Sequence, residues 1–558
     1  MEEDSIIYVD ADATDGEETG ESWGDAYTDL QDALAVAGAS DQIWVAEGTY
    51  VPTPTVDRDI SFVIPSGVNL YGGFLGNETD LDQRDIRNNL TILSGNIGAN
   101  SAGDNSHHVV NISNTVASTI IDGFTVTGGQ ANGTDAFRVN RTDGAAFSGR
   151  TNASATLSNL IITGNSASED GGGIFLGDNS SPTIDSVSFI NNSANDNGGA
   201  IHFDSGGNLS ISNSLFTENQ SQTAGAIYVR SSINTFNVFN STFYNNEGNI
   251  SDAIYDDSGR GNDTNIVNNI FWNNEVINRP QVLFDGIFIR GSLPEATNFS
   301  NNIIKGEIPS FEEDIDDGRD ITLEGNVTDD PLFVDAEEGD FRLELDSPGV
   351  DAGNNDLVST ESGTTDVTGN PRIYTDEVDI GAYEYGLYLS IDDVRVIEGD
   401  EDTSDAEFTV TLSDSLNLDR DDEVTVEYTT FNRSARSGED FERITGTLTF
   451  DQDTDTRTIS VPINGDTRSE FSETFDVGLR RATGGAMITD SLGTGIIQND
   501  DQLPAGTRSD RFFAPEVEAS FYTPTAAERE EILDLLSDLN IDTTDGVAFF
   551  LEPTPADT

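Results

Sequence analysis

Carboxylates aside, few residues of this chain are equipped for acid–base chemistry near neutral pH, and no cysteine offers a thiolate nucleophile. There are three histidines and no cysteine in 558 residues. His107 and His108 are neighbours in SHHVV, a strand-like stretch. Alternation turns one of them inward and the other outward, which is a packing pattern rather than an acid–base pair. His202 follows Ile201 in AIHF, so alternation sends it to the surface. Arg138, Arg141 and Arg150 fall in an irregular stretch, Arg230 and Arg260 in later loops, and Asp329 and Asp330 read as turn residues. No serine elbow, zinc-ligand spacing or phosphate loop is present. No residue is therefore assigned a catalytic role.

The elements that would position such residues are repeats. Phe189, Phe216, Phe243 and Phe271 each precede an asparagine by three residues, and Ile162 with Asn165 fits one step earlier. The asparagines 165, 192, 219, 246 and 274 recur at steps of 27, 27, 27 and 28. Leu157, Ile184, Ile211, Val238 and Ile266 form a second column, and Phe147, Ile174, Ile201, Ile227 and Ile254 a third. The apolar positions lie in short alternating runs such as TIDSVSF, which are strands. No helical stripe separates them, so helical solenoids are excluded. One repeat cannot bury its apolar side alone, whereas stacked coils about 4.8 Å apart can. The expectation is a parallel β-helix with stacked aromatics inside and an asparagine ladder at a turn. Glycines 171 to 173, 198 and 199 would allow the turns by adopting positive φ.

Charge narrows the partners. Acidic residues number 102 against 26 basic ones, of which Lys305 is the one lysine, for a net charge of −76. Such a chain repels nucleic acid and anionic lipid. Its dense carboxylates and near-absence of lysine resemble proteins of salt-loving organisms, where salt screens the repulsion. No run of 18 apolar residues occurs, so no membrane span is expected, and MEEDSIIYVD shows no signal peptide.

The words GGAI and FxxN resemble the repeats of polymorphic outer-membrane proteins, which are surface adhesins. SWGDAYTDLQDALAVAGASDQIWVAEGTYVP (22–52) is similar to the start of secreted right-handed β-helix proteins of the pectin-lyase-like class. Its portion from Asp25 to Ala37 is the one expected helix, a cap on the open end. DPLFVDAEEGDFRLELDSPGVDAGNN and GNPRIYTDEVDIGAYEY resemble a choice-of-anchor Q region. These resemblances imply a right-handed parallel β-helix solenoid over residues 1–386, capped at its amino end and closed by that region. They also imply a secreted or cell-surface setting.

From residue 387 to 501 the texture changes to EFTVTL, VTVEYTT, GTLTF and RTISVPI, an antiparallel β-sandwich of about seven strands. VIEGDEDTSDAEFTVTLS, SGEDFERITGTLTFDQDTDTRTISVPINGDTRSEFSETFDVGL and GTGIIQNDD resemble the Calx-beta domain, an immunoglobulin-like sandwich. That resemblance implies Ca²⁺ held between loops at one end by Glu398, Asp440, Asp466, Glu470, Glu473, Asp500 and Asp501. Carboxylates from several loops supply the hard oxygens calcium requires. NDD at 499–501 departs from members that carry a third acid there, which implies fewer ions. The tail, 502–558, carries one short helix around Ile532, Leu535, Leu536 and Leu539 with Thr525 as a cap.

Two classes of function fit this all-β chain. One is an extracellular structural or adhesive protein that binds polysaccharide or other surface and matrix components, or itself. The other is a polysaccharide lyase or glycoside hydrolase with an accessory calcium domain. Repetition without a deviating catalytic coil favours the first.

Overall fold

The computed structural model describes residues 5–500 apart from 15, 17, 99–102, 134–140, 205, 231–232, 259–262, 275–286, 290–295, 307–319, 358–363, 375, 400–402, 414–422, 453 and 469–471. Beyond these it describes a strand pair, Asp510–Ala514 with Ala519–Thr523. The expected tail helix lies outside the described residues. The chain divides into two compact units, Met1–Tyr388 with Ser413–Asp419, and Leu389–Leu412 with Arg420–Thr558.

The first unit is a parallel β-helix. Its coils build parallel sheets of eleven, nine and eight strands and a short sheet of five. All three apolar columns are in register. Leu157 pairs with Ile184, Ile184 with Ile211, Ile211 with Val238 and Val238 with Ile266. Ile162, Phe189, Phe216, Phe243 and Phe271 follow in the nine-stranded sheet. Phe147, Ile174, Ile201, Ile227 and Ile254 do so in the eight-stranded one. The columns are buried in one continuous core. Within it Phe189, Phe216 and Phe243 stack at 4.7 and 4.6 Å, rings within 6° of parallel.

The asparagine ladder is present. Asn165, Asn192, Asn219 and Asn246 each donate from Nδ2 to Oδ1 of the asparagine one coil on, at 2.9–3.1 Å. A second ladder, unmarked by any sequence word, passes through Ser241, Asn269, Asn302 and Asn326. A neighbouring corner is set by left-handed residues in successive coils, Asn213 (φ 49°), Asn240 (φ 48°) and Asn268 (φ 61°). Asparagine tolerates that conformation better than most residues with a Cβ.

The glycines divide by cause. Gly171 and Gly198 have positive φ, as expected. Gly199 does not: a Cβ there would stand 2.2 Å from the carbonyl oxygen of Gly225 in the next coil. At that position glycine permits close approach of coils rather than a turn.

The cap is shorter than Asp25 to Ala37. A 3-10 turn covers Trp23–Asp25, and the α-helix is Leu30–Val36, where Asp29 caps by accepting from the Gln31 N–H at 2.9 Å. Leu30, Ala33 and Leu34 close the amino end of the core.

The second unit is a β-sandwich whose sheets have four and five strands; with the first strand shared between them and Met487–Ile488 only two residues long, this is close to the seven expected. Five of its strand pairs are antiparallel, whereas Val394–Ile397 runs parallel to Leu492–Gln498. The first strand crosses between sheets at Asp392 and Asp393, which splits it into Tyr388–Ile391 and Val394–Ile397.

Candidate functional site

Strand registers decide where the acidic residues of the sandwich go. Ile397 lies opposite Gln498, so Glu398 and Asp500 leave the sheet side by side. There the Gly399 N–H donates to Asp500 Oδ1 at 3.0 Å. Glu473 begins a strand opposite Ile497, at the same end. In the facing sheet Thr403 pairs with Asn464, which brings Asp466 to this end too. Asp440 is tied in by the Asn464 N–H, which donates to its carbonyl at 2.8 Å. The topology therefore gathers Glu398, Asp440, Asp466, Glu473 and Asp500 at one end of the sandwich. Glu470 and Asp501 lie outside the described residues.

Gathered at one end is not converged on one point. Asp440 Oδ2 accepts from the Arg436 N–H at 2.7 Å, and Asp466 Oδ1 from the Arg468 N–H at 2.6 Å. Among the described residues no three acidic or histidine side chains are placed to share a cation. The donor chemistry fits calcium, which takes about six to eight hard oxygens. The rotamers seen here instead serve N–H groups of the end loops.

On the solenoid, His202 departs from expectation. It lies on the outer side of the eight-stranded sheet but is only 1% exposed. Phe175 and Tyr228, in register on either side, stack on its ring at 5.1 and 5.0 Å. Alternation gave the direction of the side chain but not its cover. Its Nδ1 stands 3.6 Å from Asp170 Oδ1 and its Nε2 4.0 Å from Asp204 Oδ1, and neither nitrogen makes a hydrogen bond. Burial pushes the Asp170 carboxyl up, against the pull of His202. Arg230 pairs with Asp204 at 3.1 Å and Arg150 with Asp143 at 2.9 Å. Acid and imidazole are thus adjacent, but the ring is sealed between two aromatics.

The remaining candidates make structural contacts where they are described. His107 is buried with Nδ1 3.2 Å from the Gln130 carbonyl, and burial, then the Arg58 guanidinium, lower its pKa to about 4. His108 Nδ1 meets the Gly144 carbonyl at 2.9 Å. Arg141 pairs with Asp59. Asp330 Oδ1 accepts from the Leu332 N–H at 3.0 Å, a turn role. Arg138 and Arg260 lie outside the described residues.

One group was missed by sequence reading. Asp366, Arg372, Asp379 and Glu384 are all buried together near the end of the first unit. The available signal was the density of charge among tyrosines in PRIYTDEVDIGAYEY, which is hard to see in a chain so acidic throughout.

Comparison with known proteins agrees with this division. The Calx-beta domain family matches residues 387–501, and the family described as right handed beta helix region matches 145–327. The chain is therefore an all-β protein, a right-handed parallel β-helix followed by a Calx-beta domain. Among solved structures, the apo-form Calx CBD1 domain is 21% identical, with a TM-score of 0.18, covering 21% of this chain and 100% of that one. CBD12 from CALX1.2 is 23% identical over 20% of this chain and 46% of that one, with a TM-score of 0.18. Pectate lyase Pel9A is 13% identical over 68% of this chain and 96% of that one, with a TM-score of 0.36. No curated protein matches. Among the described residues no helix is long and apolar enough to cross a membrane.

Proposed function

We propose that this is a secreted or cell-surface structural protein of a high-salt setting, in which the solenoid adheres to polysaccharide or matrix and the Calx-beta module binds calcium. The single observation that carries the reading is the regularity of the coils: the asparagine ladder runs unbroken from Asn165 to Asn274. Repetition of one structural word, without a coil that departs from it, favours an adhesive surface over a catalytic one. The resemblance of the repeats to polymorphic outer-membrane proteins and of residues 330–385 to a choice-of-anchor Q region supports the same surface role. In the calcium module Glu398, Asp440, Asp466, Glu470, Glu473, Asp500 and Asp501 are the residues that would hold the ion. Bound calcium would supply charge neutralisation at the crowded acidic end and tie its loops together.

A second reading, a polysaccharide lyase or hydrolase, draws support from His202 between Asp170 and Asp204. One experiment separates the two. The full chain is incubated with neutral and acidic polysaccharides while retention and new chain ends are both measured. Retention without cleavage is expected. Cleavage that disappears in His202→Gln or Arg230→Ala would replace the adhesive reading with the enzymatic one.

A further inference from the structure

The segment that ends the first unit is fastened to the solenoid across three successive coils. The Ala382 N–H donates to Thr242 Oγ1 at 3.0 Å, and the Gly381 N–H to the Asn268 carbonyl at 2.8 Å. Asn268 also grips Asn354 twice, accepting from its N–H at 2.9 Å and donating to its carbonyl at 3.2 Å. Asn301 Nδ2 donates to the Ala352 carbonyl at 3.2 Å.

What holds this segment in shape is a buried charge cluster. Asp366 Oδ1 accepts from the N–H groups of Thr368 and Asn370, and its Oδ2 from that of Glu384. Asp379 accepts from the N–H groups of Asp351 and Tyr385, and Glu384 from those of Tyr374 and Asp379. Each carboxyl therefore fixes a stretch of loop backbone. Arg372 is the cation among them and is itself fully buried, but it spends its hydrogen bonds elsewhere. Its Nη2 donates to the carbonyls of Asp379 and Gly381, while Nη1 and Nε make none. The nearest carboxylate oxygen of Glu384 is 3.9 Å from Nη1. With all three carboxyls ionised, three negative charges would face one positive charge, leaving two uncompensated (3 − 1) in a site closed to water. Asp351, Tyr374, Tyr383 and Tyr388 also face the cluster, with Asp340, Arg342 and Arg87 beyond Tyr383. The three tyrosines add no positive charge.

We propose that Asp366, Arg372, Asp379 and Glu384 form a pH-operated clasp: protons kept on its buried carboxyls hold residues 351–357 and 376–385 against the solenoid, and their loss frees them. Burial raises all three carboxyls, Asp379 to about 7 and Glu384 to about 8; the hydrogen bonds they accept oppose this first at Asp366 and Asp379, and Arg372 does so first at Glu384. Folded values above the ordinary 3.8 and 4.5 mean that the closed form holds more protons than the open one. The closure is then complete below the ordinary carboxylate range and weakens as pH rises through the raised values.

The test is hydrogen–deuterium exchange of the full chain at about pH 6 and about pH 9, corrected for the intrinsic rate, read peptide by peptide. Peptides covering 351–357 and 376–385 should exchange at least about tenfold faster at the higher pH, while those of coils 184–219 hold steady. Glu384→Gln, which cannot ionise, should lose much of this dependence. Equal corrected exchange of the wild-type segment at both pH values would overturn the clasp. So would an undiminished pH effect in a Glu384→Gln chain that is protected at the lower pH. Should that variant be unprotected throughout, the wild-type comparison decides alone.

Discussion

Asn192 donates from Nδ2 to Oδ1 of Asn219, one coil further on, at 3.1 Å, and its own Oδ1 receives the Nδ2 of Asn165 at 3.0 Å. Both side chains are buried, so each Nδ2 must place both protons: one goes to the asparagine of the next coil and the other to a carbonyl of the coil before, Ile162 for Asn192 and Phe189 for Asn219.

Asn219→Ala should therefore cost more than an ordinary core truncation. It removes the acceptor for both the N–H and the Nδ2 of Asn192 and the Nδ2 donor to the Phe189 carbonyl, and leaves Asn246 Oδ1 with only the backbone N–H of position 219. A loss of about 3–5 kcal/mol is expected, measured by chemical denaturation. Asn219→Asp should be no milder, because a carboxylate would face two acceptors.

Glycines of similar appearance should respond differently. Gly199→Ala drives a Cβ into the Gly225 carbonyl and should cost about 2–4 kcal/mol, because backbone on both sides must shift. Gly339 has positive φ (87°) with nothing near a would-be Cβ, so Gly339→Ala should cost only about 1 kcal/mol. Thermal melts of the two variants give the comparison.

His107 sets an acid limit on the first coils. Its folded pKa, about 4, lies below the ordinary 6.5, so the folded state binds fewer protons between those values. Stability from this group is full above the ordinary value and is lost as pH falls through that window. His107→Asn should flatten the fall in melting temperature between about pH 6.5 and pH 4, relative to wild type.

How much of this was legible in the sequence follows from what leaves a mark at fixed spacing. Phe216 and Asn219 recur in the same word each coil, so core, ladder and register could be read directly. The second ladder could not, because serines 214 and 241 give way to asparagines from Asn269 on, and the next step stretches from Asn269 to Asn302. His202 was placed on the correct side of its strand, but cover comes from neighbouring coils and a single strand carries no record of it. The clasp was hidden for another reason. With 102 acidic residues in the chain, burial alone distinguishes Asp379 and Glu384 from acids that face solvent. In the sandwich, the strands brought Glu398, Asp440, Asp466, Glu473 and Asp500 to one end, yet side-chain direction is a separate matter from strand register.

The calcium module is the part of the functional account most open to direct test. Chelator-treated full chain is titrated with calcium by calorimetry, with melting followed in parallel. Binding heat and a higher melting temperature are predicted, and both should be lost in a chain carrying Asp440→Asn and Asp466→Asn. The absence of heat together with an unmoved melting temperature in the wild-type chain would contradict calcium binding at this end of the sandwich.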